Sequence, residues 1–569
     1  MVRPPAERPG RDVNPPAGAG PGDVTRPRGA AAPEGADAAP GGVSVTPGTA
    51  VRRALRERTE IGLLDVRPEG LFAEGHPLFA ASFPLGRLEA EVLDRLPRRS
   101  VPLIVYGAGE PDAAAAVRRL RGLGYQDVSV LDGGLDGWVT GGGELFRDVN
   151  APSKAFGELV EATAGTPAIA AAELGALLSG GADVVVVDAR RFEEYRTMSI
   201  PTATSVPGAE LVMRAGALAP DPATVVVVNC AGRTRSIIGT QSLINAGLPN
   251  RVMALRNGTI GWTLAGLDLD HGQERQAPDV PRAAAQRADA AAWAVARKTG
   301  AARISATGLR SALQRGDRTV YRFDVRTPAE YARGHLARFR SAPGGQLVQE
   351  TDWFAPVRGA LVVLAGDGGG RAAMTASWLA QMGWEVAVLE AGRDAGPAGT
   401  GPWAPAWPAA PEVPLADPDQ VESWLRDGSA AVVDVDSSGR FLAGHVPGAA
   451  WALRGDLFRP GLPGRPGRPR RLVLTSADGM LARFAAADVP PRSGTGVLAL
   501  ARGTAGWAAS GRPLQSGPGE MLSPQTDVYR RPYEGTGVDP GTMQAYLDWE
   551  YGLVAQLERD GTHGFTVLA

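Results

Sequence analysis

Residues 184–190 read VVVVDAR, a run of four valines that ends at Asp188 and is followed two residues later by Arg190. Three other stretches likewise end an apolar run with an acidic residue: IGLLDVR at 61–67, YRFDVR at 321–326 and AVVDVD at 431–436. Short β-branched runs bounded by polar or turn-forming residues are typical of buried strands. The acids that mark the four predicted strand ends are Asp65, Asp188, Asp324 and Asp434.

A second signature, Leu-x-x-Gly, follows each of these acids 65 to 67 residues later. Its leucines are Leu131, Leu255, Leu389 and Leu500. A third landmark stands eleven residues after each acid, at His76, Ser199, His335 and His445. Similarity at fixed offsets is how repeated domains show in a sequence, so the chain is predicted to contain four copies of one unit.

Each copy is predicted to be a small α/β domain, because β-branched runs alternate with longer helical stretches inside it. That alternation is typical of a mostly parallel sheet with helices on both faces. The predicted boundaries are 44–148, 149–285, 286–395 and 412–515 for the first to fourth copies. The fold class is therefore α/β, with four tandem domains.

Three segments lie outside the copies. Residues 1–43 are rich in Pro, Gly and Ala and are predicted to be disordered. Residues 396–411 are interpreted as a semi-rigid linker. Residues 516–569 form a C-terminal helical appendix, in which Asp539 is a predicted helix N-cap. We expect this helix to pack across the last copy.

The composition excludes several classes of protein. Hydrophobic residues make up 44% of the 569 residues and charged residues 21%, which is typical of globular chains. The formal net charge is -2, so no overall field attracts a nucleic acid or an anionic membrane. The sequence shows neither a secretory signal nor a run of about 18 apolar residues, and a cytoplasmic protein without nucleic-acid or membrane partners is expected.

The chain has a single cysteine, Cys230. One thiol excludes a disulfide framework, an iron–sulfur cluster held by several thiolates and a zinc site with two thiolates, and neither a metal nor a cofactor is expected. Cys230 follows the apolar run VVVVN and precedes a predicted helix. The loop between them consists of Ala231, Gly232, Arg233, Thr234 and Arg235.

A loop from a strand to a helix N-terminus directs successive backbone N–H groups to one point, and the helix dipole adds partial positive charge there. We therefore predict that the pKa of the Cys230 thiol is lowered, which would make it a nucleophile near neutral pH. Arg233 and Arg235 are predicted to supply two fixed cations that receive an anionic substrate.

These motifs resemble those of the rhodanese-like sulfurtransferases over residues 44–515. The shared features are the Asp-x-Arg at a strand end, the Gly-His-x-Pro-Gly-Ala turn at 444–449, the Cys-x-x-x-x-Arg loop at 230–235 and the late Gly-x-x-Gly-Trp. The resemblance implies a cysteine that takes a sulfane sulfur from a donor, holds it as a persulfide and passes it to a nucleophilic acceptor. It assigns the nucleophile to Cys230, the anion cradle to residues 231–235 and supporting roles to Asp188 and Arg190.

One departure from the family pattern concerns the loop glycine. Many bacterial members place it three residues after the cysteine, whereas Gly232 lies two residues after Cys230. The family's substrate choice therefore does not transfer. Thiosulfate is the default donor, and a thiol or cyanide is the expected acceptor.

The repeat register predicts one working copy. Cys230 lies 42 residues after Asp188, and the same offset from the other three acids reaches Gly107, Gly366 and Ser476. A serine hydroxyl without an adjacent base is a weak nucleophile, so the first, third and fourth copies are predicted to be inactive. The histidines of the third landmark are interpreted as residues that hold the fold.

Two other functions stay open at this point. A cysteine-dependent phosphatase or arsenate reductase wraps an oxyanion in a Cys-x5-Arg loop, but only four residues separate Cys230 from Arg235, which makes a smaller cradle. A non-catalytic scaffold would use Cys230 only to sense sulfur or redox state. The oligomeric state is not indicated.

Overall fold

The computed structural model describes residues 43–366, 368–390, 398–458, 470–489, 496–534 and 537–568. Each of the four predicted copies contains a sheet with a core of five strands. When only these core strands are counted along the chain, the first pairs with the fifth, followed by the fourth, the second and the third. These pairings are parallel in all four copies, so the predicted α/β class is confirmed. Apart from Val43, the segment predicted to be disordered lies outside the described residues.

The strands follow the predicted order along the first two copies. Those of the first copy are Val45–Thr46, Ile61–Asp65, Ala80–Ser82, Leu103–Tyr106 and Val128–Leu131. Its helices are Gly48–Glu57, Glu69–Glu74, Leu88–Arg95, Glu110–Gly122 and Gly134–Thr140. The strands of the second copy are Ala168–Ile169, Val184–Asp188, Thr204–Ser205, Val225–Asn229 and Val252–Leu255. Its helices are Ala151–Ala164, Ala171–Ser179, Phe192–Thr197, Leu211–Leu218, Thr234–Asn245 and Gly258–Leu264.

The third and fourth copies repeat this plan. The strands of the third copy are Ala302–Ile304, Val320–Asp324, His335–Leu336, Arg340–Ser341, Val357–Arg358, Leu361–Ala365 and Glu385–Leu389. Its helices are Arg282–Lys298, Ala306–Arg315, Pro328–Arg333, Gly344–Gln349, Thr351–Phe354 and Arg371–Gln381. The strands of the fourth copy and its flanks are Ala398–Gly399, Leu415–Ala416, Ala430–Asp434, Ala450–Trp451, Arg471–Thr475, Gly496–Leu500 and Glu520–Met521. The remaining helices are Pro418–Arg426, Ser438–Ala443, Met480–Asp488, Gly503–Ala509, Pro540–Tyr551 and Leu553–Asp560.

Single 3-10 turns occur at Leu85–Arg87, Gly208–Glu210 and Arg454–Phe458. None of the helices in the described part of the chain combines the length and the apolar character that a membrane span requires.

The Asp-x-Arg motifs brace the sheets at the ends of the second strands. In the second copy, the buried Arg190 guanidinium donates to Asp188 at 2.7 Å and to the Met198 carbonyl at 2.6 Å. Arg67 and Arg326 make the corresponding bonds to their own aspartates in the first and third copies. Because the pair recurs in copies without a thiol, it belongs to the fold.

The histidines of the third landmark are also built into the fold. The rings of His76, His335 and His445 stack on Phe72, Tyr331 and Phe441 at centroid distances of 3.8 to 3.9 Å. Each ring also bonds a backbone carbonyl through Nδ1. These contacts agree with the structural role that the sequence pattern predicts.

The first and third copies share one hydrophobic core. Strand Val357–Arg358 of the third copy pairs antiparallel with Ile61 and Gly62 at the start of the first copy's second strand. The Tyr321 hydroxyl donates to the Arg95 carbonyl at 2.8 Å, which fixes the same interface from within. The copies are therefore assembled against one another and not only connected in series.

The helical part of the C-terminal appendix does not pack mainly across the last copy, and that expectation is wrong. Its first helix, Pro540–Tyr551, contacts Ile260 of the second copy through Met543, Tyr546 and Leu547. Beyond it, Phe565 makes edge contacts with Phe79 of the first copy. The predicted N-cap Asp539 is confirmed, but helical spacing does not specify which surface an amphipathic helix covers.

Candidate active site

The candidate site begins where the buried strand Val225–Asn229 ends, and Cys230 is its next residue. The side chain of Cys230 is only 2% exposed. Its thiol donates to Ser236 Oγ at 3.4 Å, and the Ser236 hydroxyl donates to the Arg233 carbonyl at 2.8 Å. These bonds connect the thiol to the first turn of helix Thr234–Asn245.

The Leu-x-x-Gly signature anchors the cysteine loop from the other side. The Thr259 N–H donates to the Cys230 carbonyl at 2.9 Å, and the Ile260 N–H donates to the Ala231 carbonyl at 3.0 Å. Gly258 has a φ of +52°, and a Cβ there would lie 2.2 Å from the Cys230 carbonyl oxygen. Only glycine allows this approach. The signature that revealed the repeats therefore holds the loop in place.

The protein environment raises the pKa of the Cys230 thiol, and the prediction of a lowered pKa is wrong for this structure. Burial is the main cause, because it penalises the thiolate. The positive charge of Arg235 and the hydroxyl and N–H of Ser236 act in the opposite direction but do not outweigh burial. The sequence pattern indicated the stabilising groups but could not show that the thiol is covered.

Arg233 is held by several side chains around its guanidinium. Its guanidinium donates to Glu158 at 2.7 Å and to Asn257 at 3.0 Å, and it also pairs with Glu161. Its guanidinium carbon lies 4.1 Å from the ring centroid of Tyr551. Arg233 is therefore paired with carboxylates, and its side chain fastens the loop to helix Ala151–Ala164.

Arg235 is also paired, but it acts on the thiol. Its two terminal nitrogens donate to Glu194 at 2.8 and 2.9 Å. The third copy has the same pair at the corresponding positions, Arg371 and Glu330, although it lacks a thiol. The pair is thus a feature of the fold, and the second copy adds an electrostatic interaction between Arg235 and Cys230.

Asp188 lies below the loop, as predicted for a supporting residue. It accepts from Arg190, and Asn229, the residue before the cysteine, donates to its Oδ2 at 2.7 Å. All three side chains are buried. The Asp-x-Arg brace is therefore joined directly to the strand that carries Cys230.

The groups that cover the loop come from the appendix and were not predicted from the sequence. Helix Pro540–Tyr551 of the appendix brings Glu550 and Tyr546 over Gly232. A Cβ at position 232 would lie 3.3 Å from Glu550 Oε2 and 3.4 Å from Tyr546 Cε1. The appendix helix therefore packs against the loop at Gly232, the glycine whose position departs from the family pattern.

Glu550 is a buried carboxyl group with one free oxygen. The Tyr546 hydroxyl donates to its Oε1 at 2.7 Å, while Oε2 has no hydrogen-bond partner among the described residues. Burial raises the pKa of Glu550 to about 8. The charged or titratable groups that face it are Lys154, Glu158, Arg233, Tyr546 and Cys230.

Lys154 is a buried cation that faces Glu550. Its Nζ lies 2.7 Å from Asp148 Oδ2 and 5.0 Å from the ring centroid of Tyr546. The rings of Tyr533 and Trp549 lie at 5.7 and 5.5 Å from the same atom. No cluster of three or more His, Cys, Asp or Glu side chains suited to a metal ion is found in the described ranges.

The other copies have no thiol at the corresponding position. In the fourth copy, the Thr504 N–H donates to the Ser476 carbonyl at 2.9 Å, which matches the bond from Thr259 to Cys230. A Cβ at Gly107 of the first copy would lie 2.9 Å from Asp112 Cβ, so this position is filled by its neighbours. The repeat register predicted from the sequence therefore identifies equivalent loop positions.

Comparison with known proteins bears on three of the copies directly. The family model for the Rhodanese-like domain matches residues 49–140, 170–265 and 305–396. No curated protein matches the chain. The fourth copy lies outside the family-model matches but has the same strand order as the others.

Among solved structures, a thiosulfate sulfurtransferase from Pseudomonas aeruginosa is 54% identical to this chain, with a TM-score of 0.90. The similarity covers 92% of this chain and 100% of that chain. The Alr3790 protein from Anabaena sp. is 31% identical over 18% of this chain and 91% of that chain, with a TM-score of 0.17. The BH2092 protein from Bacillus halodurans is 24% identical over 19% and 78%, with a TM-score of 0.17.

Proposed function

Since this chain belongs to the rhodanese-like family of sulfurtransferases, we propose that it moves a sulfane sulfur from thiosulfate, through a persulfide on Cys230, to a thiol or cyanide. The observation that carries this proposal is the place of the chain's single cysteine, between a strand end and a helix N-terminus in the second copy. The similarity to a thiosulfate sulfurtransferase along nearly the whole chain supports thiosulfate as the donor.

The proposed reaction has two half-reactions at one sulfur atom. The Cys230 thiolate attacks the outer sulfur of thiosulfate, the S–S bond of the donor breaks, and sulfite leaves with the electron pair. The acceptor thiolate or cyanide then attacks the outer sulfur of the persulfide. The Cys230 sulfur leaves with the electron pair of that bond, which regenerates the thiolate without any net oxidation of the enzyme.

The residues after Cys230 have different parts in this reaction. The backbone of residues 231–235 forms the cradle for the anion, and Arg235 stabilises the thiolate by its charge. Arg233 keeps the loop in shape through its carboxylate partners, Glu158 and Glu161. Asp188 and Arg190 support the strand below, and neither touches the substrate.

Glu550 completes the cradle from above. Its pKa of about 8 means that the carboxyl is mostly protonated at neutral pH, so Oε2 can donate a hydrogen bond. A donor anion bound at the cysteine loop accepts that bond. A neutral carboxylic acid is a suitable group here, because an ionised one would repel both the dianionic donor and the thiolate.

The other three copies supply the scaffold of the proposed enzyme. We assign catalysis to the copy at 149–285 and none to the copies at 44–148, 286–395 and 412–515. The linker at 396–411 and the appendix at 516–569 connect and cover these domains. This assignment is supported by the positions of Gly107, Gly366 and Ser476, none of which can form a persulfide.

Intact-mass measurement after incubation with thiosulfate tests the persulfide. The wild type should gain about 32 Da, the mass of one sulfur atom, and Cys230→Ser should gain nothing. An adduct of the same mass on Cys230→Ser would refute the assignment. Steady-state turnover should give parallel double-reciprocal lines, because sulfite leaves before the acceptor reacts.

A further inference from the structure

A cavity of about 1010 Å³ lies between the first three copies, and Cys230 is not among its lining residues. Its walls include Arg95 from the first copy, Arg191 from the second and Arg340 from the third. Trp403 of the linker lines it as well. A concave site of this size, located where domains meet, is where proteins commonly bind small molecules.

Arg340 differs from the other arginines in the wall of this cavity because no carboxylate of the described residues pairs with it. The other arginines each have a carboxylate within 4 Å; they are Arg87, Arg95, Arg190, Arg191, Arg214 and Arg531. Arg340 is only 7% exposed, and its Nε and Nη1 have no hydrogen-bond partner in the described part of the chain. Burial lowers the pKa of Arg340 to about 10, which is the expected effect on a cation without a close counter-ion.

The nearest acids are already used by other groups. Glu91 pairs with Arg95, and Asp94 Oδ2 accepts from the Ala406 N–H at 2.8 Å. Both act on Arg340 only through longer-range attraction. A buried cation without a paired anion is costly, so the arrangement calls for a ligand that supplies the negative charge.

Aromatic rings hold the Arg340 guanidinium in place. Its central carbon lies 4.3 Å from the ring centroid of Trp353, 4.9 Å from that of Phe354 and 4.8 Å from that of Trp403. The Trp353 carbonyl accepts from Arg95 at 2.8 Å, so the first copy fixes this cage. Trp353 is 39% exposed, which leaves apolar ring surface for a ligand to cover.

The fold itself does not require an arginine at this position. Arg340 lies opposite Phe323 in the sheet of the third copy. The equivalent residues in the other copies are Ala81, Thr204 and Ala450. The same strand pairing therefore forms with smaller side chains, and the arginine is specific to the third copy.

We propose that this cavity binds an organic anion, a carboxylate or a sulfonate with an apolar body, whose anionic group pairs with Arg340. The anionic group supplies the Arg340 guanidinium with a counter-ion from the cavity, while the body covers the exposed face of Trp353. An inorganic oxyanion alone would fill only a small part of the 1010 Å³. This site is independent of the sulfur transfer proposed for Cys230.

Isothermal titration of the full chain with benzoate, benzenesulfonate and sulfate tests the site. The two organic anions should bind at least about tenfold more tightly than sulfate, since they add apolar contact. Arg340→Met keeps the length and packing of the side chain but removes its charge, and it should weaken binding of both by about tenfold or more. Arg87→Met changes a paired arginine of the same wall and is the matched control, expected to stay within about twofold.

Three results would overturn the proposal. Equal affinity for sulfate and benzoate would indicate an adventitious ion only. Unchanged binding in Arg340→Met would place the anion elsewhere, and binding lost in Cys230→Ser would place it at the catalytic loop. A crystal of the wild type soaked with benzenesulfonate gives a test that does not depend on the variant's stability: density beside Arg340 supports the site, and density only elsewhere contradicts it.

Discussion

The second and fourth copies have the same framework around their central loops but differ in what the loop contains. Gly258 and Gly503 both have a positive φ, and a Cβ at either would lie within 2.2 Å of the carbonyl oxygen of Cys230 or Ser476. The second copy has a thiol, the Asp188–Arg190 brace and a cover from the appendix. The fourth copy has the hydroxyl of Ser476 in place of the thiol. It also has Asp436 at the position that the arginine of the Asp-x-Arg brace occupies in the second copy.

This difference shows that the loop backbone is a property of the fold, whereas reactivity depends on a few side chains placed upon it. The third copy supports the same conclusion, because it has the arginine–glutamate pair but no thiol. What separates the second copy from both is the combination of Cys230 with Glu550 from a helix that is distant in the sequence.

The largest effect is expected from the nucleophile. Cys230→Ser should reduce turnover to the uncatalysed level, because a hydroxyl does not form the persulfide, while the melting temperature stays the same. The counterpart Ser476→Ala should leave kcat within about twofold. A loss of more than about tenfold in Ser476→Ala would mean that the fourth copy takes part in the chemistry.

A smaller loss is expected from the arginine that acts on the thiol. Arg235→Ala should lower kcat/KM for thiosulfate by about 10- to 100-fold, because the thiolate loses its nearest positive charge. Arg371→Ala removes the equivalent arginine of the third copy and controls for the structural part of the pair. The rate of alkylation of Cys230 against pH measures the thiol directly, and its apparent pKa should rise only in Arg235→Ala. Equal losses in the two variants would show that Arg235 acts only through the fold.

Glu550, which covers the loop, is expected to make the KM for thiosulfate depend on pH. Glu550 is neutral below its pKa of about 8 and donates to the bound anion; above it, the carboxylate repels thiosulfate. The KM for thiosulfate in the wild type should therefore rise as the pH increases through about 8. Glu550→Gln stays neutral and keeps a donor, so its KM should not show this rise, and Glu550→Leu should have a KM about tenfold higher at pH 7. A wild-type KM that does not change between pH 7 and 9 would contradict this role.

The missing brace of the fourth copy predicts a difference in stability. Burial raises the pKa of Asp434 to about 7, so the folded state retains a proton that the unfolded chain has released. Asp434 therefore contributes stability below pH 4 that is lost as the pH rises through about 7. Asp434→Asn should raise the melting temperature at pH 8 by a few degrees and have little effect at pH 4.

The counterpart of that substitution lies in the second copy. Asp188→Asn should lower the melting temperature at pH 8, since it leaves the buried Arg190 without its carboxylate. Scanning calorimetry of both variants at the two pH values makes the comparison. A decrease in melting temperature for Asp434→Asn at pH 8 would contradict the assigned pKa direction.

The repeated fold could be predicted from the sequence because its landmarks serve local needs. The acids that end the strands and the glycine that approaches the loop carbonyl are required in each copy, so their spacing is visible without a structure. The position of Cys230 followed from the same register. The sequence could not show that Arg233 and Arg235 have carboxylate partners, because Glu158 and Glu194 come from other elements.

The packing of the appendix helix over the loop and the cavity between the copies could not be predicted from sequence periodicity, because both depend on tertiary contacts. Helix Pro540–Tyr551 has apolar residues at helical spacing, but this spacing does not indicate that the helix packs on the second copy. Burial of Cys230, which the sequence did not indicate, reverses the expected direction of its pKa shift. Arg340 lines a cavity that forms where three copies and the linker meet, and this assembly is not visible in the spacing of the sequence.

A rapid-quench measurement of sulfite release, with excess thiosulfate and no acceptor, tests most directly the claim that one copy works among four. The wild type should release one sulfite per chain and then stop, because Cys230 is its only thiol. Cys230→Ser should release none. More than one sulfite per wild-type chain, or any burst from Cys230→Ser, would contradict the account.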